Sequence, residues 1–226
     1  MIANLDQGVP LIADVDTGYG GPNMVRRTIA QYARSGVADC HIEDQIQTKR
    51  CGHLAGKQLV PLDVFEQRIR AAAAARYELR SDIVLVARTD ALQTHGFNIA
   101  LERLEAAIRA GADVVFLEGV RDKQQARELC RRVAPTPVLL NMVENGATPS
   151  WSVDEAKDLG FRIIILPFAA IAPAYEAIRS AYRRIKDEGV TGIDPSFTPK
   201  RLFTIVGLEK ATAVDDAAGG NLYDMV

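Results

Sequence analysis

Six short apolar runs recur along the chain, each separated from the next by enough residues for one helix. They are Val9–Asp14, Asp39–Glu43, Ile83–Arg88, Val114–Glu118, Val138–Asn141 and Ile163–Leu166. Each is nearly continuous in apolar residues rather than alternating, which is the pattern of parallel strands covered on both faces. Between them the apolar spacing is helical. Val25, Ile29 and Tyr32 make one stripe, Leu101, Leu104 and Ile108 a second, and Ala126, Leu129, Cys130 and Val133 a third. Ile171, Tyr175, Ile178, Tyr182 and Ile185 make a fourth. Gly36, Gly111 and Gly160 each stand just before a strand, where a helix that turns sharply needs a residue at ease with positive φ.

Repeated βα units imply a parallel sheet. An open doubly wound sheet and a closed (β/α)8 TIM-type barrel both fit the alternation. The strand ends favour the barrel: Asp14 with Asp16, Glu43, Arg88, Glu118 and Asn141 all sit at or just past a carboxyl end, and a barrel gathers those ends at one mouth. No GxGxxG follows a strand, which weighs against a dinucleotide fold. Six strands are two short of a closed barrel, so either its first two βα units are missing or it closes in another way. The absence of a linker predicts one domain over 1–226. In it, Thr198–Val206 forms a short apolar helix with Thr198 as N-cap and Pro199 at N1, and the tail after Gly207 is loose.

The net charge of -2 offers no electrostatic attraction for nucleic acid or an anionic membrane. No apolar run is long enough to span a bilayer, and the first residues lack the character of a signal peptide. Cys40, Cys51 and Cys130 form no disulfide framework, so a reducing compartment is expected: the cytoplasm, with an organelle matrix left open.

The chemistry concentrates in two stretches. Asp14 and Asp16, in DVDTGYGG, lie two apart at a strand end and can share a cation. Their oxygen donors suit Mg2+ or Mn2+, and Glu43 at the next strand end would add a third carboxylate. The plainer alternative is a turn in which Asp16 caps and Gly18 and Gly20 complete the bend. The second stretch, His41 to Lys57, leaves a strand through Glu43 and Asp44 and enters a polar loop with Lys49, Arg50, Cys51 and His53. Positive neighbours would favour a thiolate at Cys51, although a free cysteine is more often a small apolar filler. His53 reads as either a proton shuttle or a loop-ordering partner. Cys40, Cys130, His41 and His95 read as structural. Arg88 is shaped to grip a carboxylate through two parallel N–H bonds, or to pair with Glu118. NMVENGATPS, Asn141 to Ser150, suits a second carboxylate or is ordinary loop chemistry.

Together DVDTGYG, HIEDQ, KRCGH and NMVENGATPS resemble the isocitrate lyase/phosphoenolpyruvate mutase superfamily, from Val9 to about Gly220. Within it the chain looks most like the branch that cleaves 2,3-dimethylmalate, with oxaloacetate hydrolases close by. The resemblance implies Asp14, Asp16 and Glu43 around Mg2+ or Mn2+, and Cys51 as general acid on a gating loop with Lys49, Gly52 and His53. It implies Arg88, Glu118, Asn141, Thr148 and Ser150, with Asp14 and Gly52, around a di- or tricarboxylate substrate. Pro167 fits the lyase pattern, where the hydrolases carry serine. The implied reaction is carbon–carbon cleavage of a 2-hydroxy dicarboxylate into a 2-keto acid and a carboxylate. The alternatives are oxaloacetate hydrolysis, or an inactive truncated subunit. Phosphorus–carbon chemistry is disfavoured, because the mutases that resemble this family lack the KRCGH loop. A helix-swapped dimer of dimers is also implied.

Overall fold

The computed structural model describes residues 1–6 and 8–221. The chain forms two compact units, Met1–Phe168 and Ala169–Val226, where the sequence suggests a single domain. In the first unit the order is β1 (Ile12–Asp14), α1 (Pro22–Arg34), β2 (Asp39–Glu43), α2 (Leu62–Leu79), β3 (Val84–Thr89), α3 (Ala91–His95), α4 (Phe97–Ala110), β4 (Val114–Leu117), α5 (Lys123–Arg132), β5 (Val138–Asn141), α6 (Val153–Leu159) and β6 (Ile163–Ile165). The first strand begins later than its apolar run, at Ile12. The others agree with the sequence to within a residue at each end.

All six strands are parallel and lie in sequence order. Parallel crossovers are right-handed, so an unreversed strand order puts every connecting helix on the same face. A doubly wound sheet reverses its order and covers both faces. The topology is therefore barrel-like, as the strand ends suggest. Two apolar clusters lie on the helical face. One joins Ala13, Cys40, Ile42, Leu85 and Ala87 to α1 and α2, and the other joins Val115, Leu117, Val138 and Leu140 to α4, α5 and α6. The opposite, inner face carries a smaller cluster of Val86, Val114, Phe116 and Leu139. Gly36, Gly111 and Gly160 all adopt positive φ, and a Cβ at Gly111 would meet Ala73 at 2.8 Å.

β2 departs from the apolar pattern on its inner face, where Asp39, His41 and Glu43 alternate with outward Cys40 and Ile42. Asp39 Oδ1 is buried without a hydrogen-bond partner. Burial pushes the Asp39 carboxyl up to about 7; His41 opposes the rise and Asp113 adds to it. The folded state thus holds a proton that the unfolded chain releases near pH 4, so this group's contribution to stability falls from about pH 4 to about pH 7. The steepest slope for one such group is about 1.4 kcal/mol per pH unit. Asp39→Asn should flatten the decline, and urea midpoints of the two proteins across that window should diverge. Parallel curves would show that Asp39 is ionised in the native state.

The second unit holds α7 (Ile171–Glu188), α8 (Pro199–Ile205) and α9 (Leu208–Ala217). Thr198 caps α8 by accepting from the Arg201 N–H, with Pro199 opening the helix, as its sequence suggests. The tail after Gly207 is not loose: α9 occupies most of it, and residues 222–226 lie outside the described residues. The α7 stripe, from Ile171 to Ile185, is exposed. Among the described residues no helix is long and apolar enough to cross a membrane.

Candidate active site

The carboxyl ends of β1 to β5 bring the acidic residues and Arg88 to one edge of the sheet. Adjacent residues of one strand point to opposite faces, and this separates the two carboxylates of HIEDQ. Asp44 goes to the helical side. It accepts from Thr89 Oγ1 at 2.5 Å, Arg103 Nε at 2.6 Å and the Asp90 N–H at 3.0 Å, so it is fully engaged in the scaffold. Glu43 goes to the inner side, fully buried, with Oε1 unpartnered. Its Oε2 lies 3.5 Å from Arg88 Nη1 and 3.5 Å from Lys49 Nζ. Burial outweighs Arg88 and Lys49 and lifts the Glu43 carboxyl to about 7.

Asp16 takes a left-handed φ of 49° in a turn closed by its N–H donating to Asp14 Oδ1 at 2.8 Å. A turn does form in DVDTGYGG, but its side-chain cap is Asp14 and not Asp16. The Asp16 side chain is instead paired with Lys49 Nζ. Asp14 Oδ2 lies 3.1 Å from His41 Nε2. Burial works against the Asp14 charge, but His41 together with the Asp16 N–H and Lys49 holds the carboxyl well below its usual range. His41 is thus more than a strand filler, because it supports Asp14 from below. For Lys49, burial opposes the charge, yet the bond to Asp16 and the field of Glu43 and Asp14 raise its pKa. The Lys49 ammonium serves the acid cluster rather than the Cys51 thiol. Among the described residues no three carboxylate, imidazole or thiol groups converge as a metal site.

Arg88 is the hub of the inner edge. Its guanidinium donates to Asp90 from Nε at 2.9 Å and Nη2 at 3.1 Å. It lies 3.3 Å from Glu118 Oε2, and 5.1 Å over the Phe116 ring. Burial opposes its charge, but Asp90, Glu118 and Glu43 drive its pKa upward. Glu118 also accepts from Asn141 Nδ2 at 3.2 Å, and the Oδ1 of Asn141 remains unpartnered.

The Lys49–His53 loop sits directly on this floor. Gln45 fixes its base, since its carboxamide donates to Arg50 O at 2.9 Å and accepts from Arg50 N at 3.1 Å. Arg68 on α2 holds the stem by donating to Glu43 O and Gln45 O. A Cβ on Gly52 would lie 2.6 Å from Arg88 Nη2 and 2.7 Å from Glu118 Cδ. Gly52 is required here by close approach, not by positive φ. His53 Nε2 stands 3.7 Å from Glu118 Oε1, and the His53 ring borders Gly146 of the Asn141–Ser150 segment. Both ring nitrogens lack a hydrogen-bond partner, as does the buried Thr148 Oγ1. Cys51 is exposed in this arrangement. Ser150 and Pro167 are also exposed, beyond the ends of β5 and β6. Lys57, Asp90, Gln45 and Arg68 were not apparent from motif spacing, although Asp90 follows Arg88 by two and Gln45 closes HIEDQ.

Gly52→Ala should unseat the loop, because the atoms it would strike are themselves pinned by Asp90 and Asn141. A turnover loss on the order of 10²-fold is expected, the scale of an ångström's misplacement. Steady-state kinetics beside a thermal melt would check it, and turnover within a factor of two of wild type would contradict it.

This sheet and its strand-end cluster define a β/α-barrel-type protein with an acid-lined site under a loop bearing a free thiol. A family model described as phosphoenolpyruvate phosphomutase matches residues 1–186. The chain belongs to that family, the PEP mutase/isocitrate lyase superfamily. A 2-methylisocitrate lyase of Aeropyrum pernix is 37% identical over 201 residues, covering 88% of this chain. The chain spans 64% of that relative's length. The crystal structure of a 2,3-dimethylmalate lyase superposes with a TM-score of 0.97 at 56% identity, covering 100% of this chain and 75% of that one. An oxaloacetate acetylhydrolase bound to 3,3-difluorooxalacetate gives 0.95 at 57% identity, covering 98% of this chain and 75% of that one.

Proposed function

We propose that the protein is a carbon–carbon lyase that cleaves a 2-hydroxy dicarboxylate of the 2,3-dimethylmalate, 2-alkylmalate or methylisocitrate type into a 2-keto acid and a carboxylate. The observation that supports this reading is the close approach of Gly52, the residue after Cys51, to Arg88 and Glu118, with His53 Nε2 3.7 Å from Glu118 Oε1.

Asp14, Asp16 and Glu43 are the residues to hold Mg2+ or Mn2+. The fit rests on their all-oxygen donors and on the buried, unpartnered Glu43 Oε1. Lys49 now bridges Asp16 and Glu43 and would have to yield that position. When bound, such an ion supplies Lewis-acid polarisation of a substrate oxygen. Arg88, buried and held from behind by Asp90, presents its charge where the departing fragment becomes negative, as preorganised electrostatic stabilisation. The 2-hydroxyl gives up its proton as C2 becomes a carbonyl, and the electron pair of the broken C2–C3 bond stays on C3. Cys51 gives its proton to that carbon, and the released hydroxyl proton restores the thiol. Asn141, Thr148 and Ser150 bind the far carboxylate, drawing on the free Asn141 Oδ1 and Thr148 Oγ1. The seated loop keeps water from protonating the carbanion first.

The near-equal identity to the oxaloacetate acetylhydrolase favours a second reading, hydrolysis of oxaloacetate to oxalate and acetate. Pro167 supports the lyase. Incubating one preparation with Mg2+ and each substrate separates the two: 2,3-dimethylmalate should yield pyruvate and propionate, and oxaloacetate should yield no oxalate. Oxalate without keto acid would reverse the assignment. In this reading the exposed apolar residues of α7 and α8, such as Tyr182 and Phe203, are covered by a second copy in a helix-swapped homo-oligomer. A monomer mass in light scattering would overturn that part.

A further inference from the structure

Lys57 is the one lysine of the Lys49–Lys57 loop whose side chain is sealed from solvent, at 1% exposure. Its ammonium donates to Gly52 O at 2.8 Å and to Asp90 Oδ1 at 2.9 Å. Asp90 is fully buried and also accepts two hydrogen bonds from Arg88. One carboxylate therefore holds both a loop backbone and the floor arginine. A buried lysine needs such partners, since an unpaired charge out of water is strongly disfavoured. The acceptor on the loop is the carbonyl of the residue next to Cys51. No helix or strand includes Lys57, so regular secondary structure does not explain its burial.

We propose that Lys57 is the latch of the loop: a positioning residue that holds the Cys51–Gly52–His53 segment on Arg88 and Glu118 through the Gly52 carbonyl, anchored by Asp90. Its consequence for turnover rests on the reading of Cys51 as proton donor, whereas the latch itself does not. Gln45 pins one side of the loop and Lys57 the other, so the two contacts share the seating. Gln45 sits at the fixed stem and leaves Gly52 free to lift. Lys57 is the contact that must break when the segment rises from Arg88.

Trypsin reports the latch, because it cuts after Arg50, next to the held segment. In Lys57→Met, cleavage at Arg50–Cys51 should quicken by about tenfold or more, as expected when a local opening loses its main restraint. The catalytic constant should fall further than KM rises. Cleavage at the wild-type rate overturns the latch, whatever turnover does. Faster cleavage with reduced turnover supports both the latch and the role of Cys51. Faster cleavage with unchanged turnover supports the latch and removes Cys51 from its role. Acylation of wild-type lysines with an N-hydroxysuccinimide ester, read by mass spectrometry, needs no variant. Lys57 should react far more slowly than exposed Lys123 and Lys157, and an equal rate overturns the proposal.

Discussion

Replacing Cys51 by alanine is expected to lower the turnover number by roughly 10²–10⁴-fold, the usual worth of a positioned general acid, while leaving substrate binding nearly intact. The selectivity comes from placement. Cys40 is buried in the core and Cys130 is packed against another part of it, and burial pushes their thiols up to about 12 and about 11. Cys51 is the exposed thiol, on a loop held at both ends. A thiol alkylating reagent should therefore inactivate the protein through Cys51, and a substrate dicarboxylate should protect it. Serine at this position keeps a hydroxyl but a far weaker acid, so Cys51→Ser should resemble the alanine variant. Turnover close to wild type in either variant, with binding unchanged, would sink the acid assignment and with it the mechanism.

The second large effect concerns stability. Asp44→Ala should cost about 3–5 kcal/mol, the penalty for leaving a buried charge without its partner. The orphan would be Arg103, whose guanidinium keeps only Val60 O and the Phe65 ring face. The Thr89 hydroxyl and the Asp90 N–H lose an acceptor too. Against a domain stability of about 5–15 kcal/mol this is a fifth or more of the total. Equilibrium urea unfolding measures it directly. Pairing Asp44→Leu with Arg103→Met should recover much of the loss, because removing both charges leaves none unpaired. A single variant within about 1 kcal/mol of wild type would mean that Asp44 is not the scaffold anchor its contacts indicate. Glu43, its neighbour in sequence, should behave oppositely: Glu43→Gln removes a strained buried carboxyl and should impair chemistry more than folding.

Much of the architecture is readable from the residues in order. Continuous apolar runs separated by helical stripes required parallel strands, and residues of one parity on each strand share a face by simple geometry. That places Asp14, Glu43, Arg88, Glu118 and Asn141 at one edge from residue order alone. The family motifs are equally local, so they too are legible in one dimension.

What only the tertiary structure decided is which partner each charge finds. Asp44 meets Arg103 at a separation of 59 residues and the Asp90 N–H at 46, and no local pattern encodes such pairings. Lys49 reads as a neighbour of Cys51 but binds Asp16 and Glu43, because a charge under partial burial moves to the strongest opposite field within reach. Lys57 reads as an ordinary loop lysine until the fold brings Asp90 beneath it. The exposure of the α7 stripe and the helix in the tail after Gly207 were likewise not in the periodicity. Periodicity reports what a segment can bury, whereas burial and pairing depend on what the rest of the chain places against it.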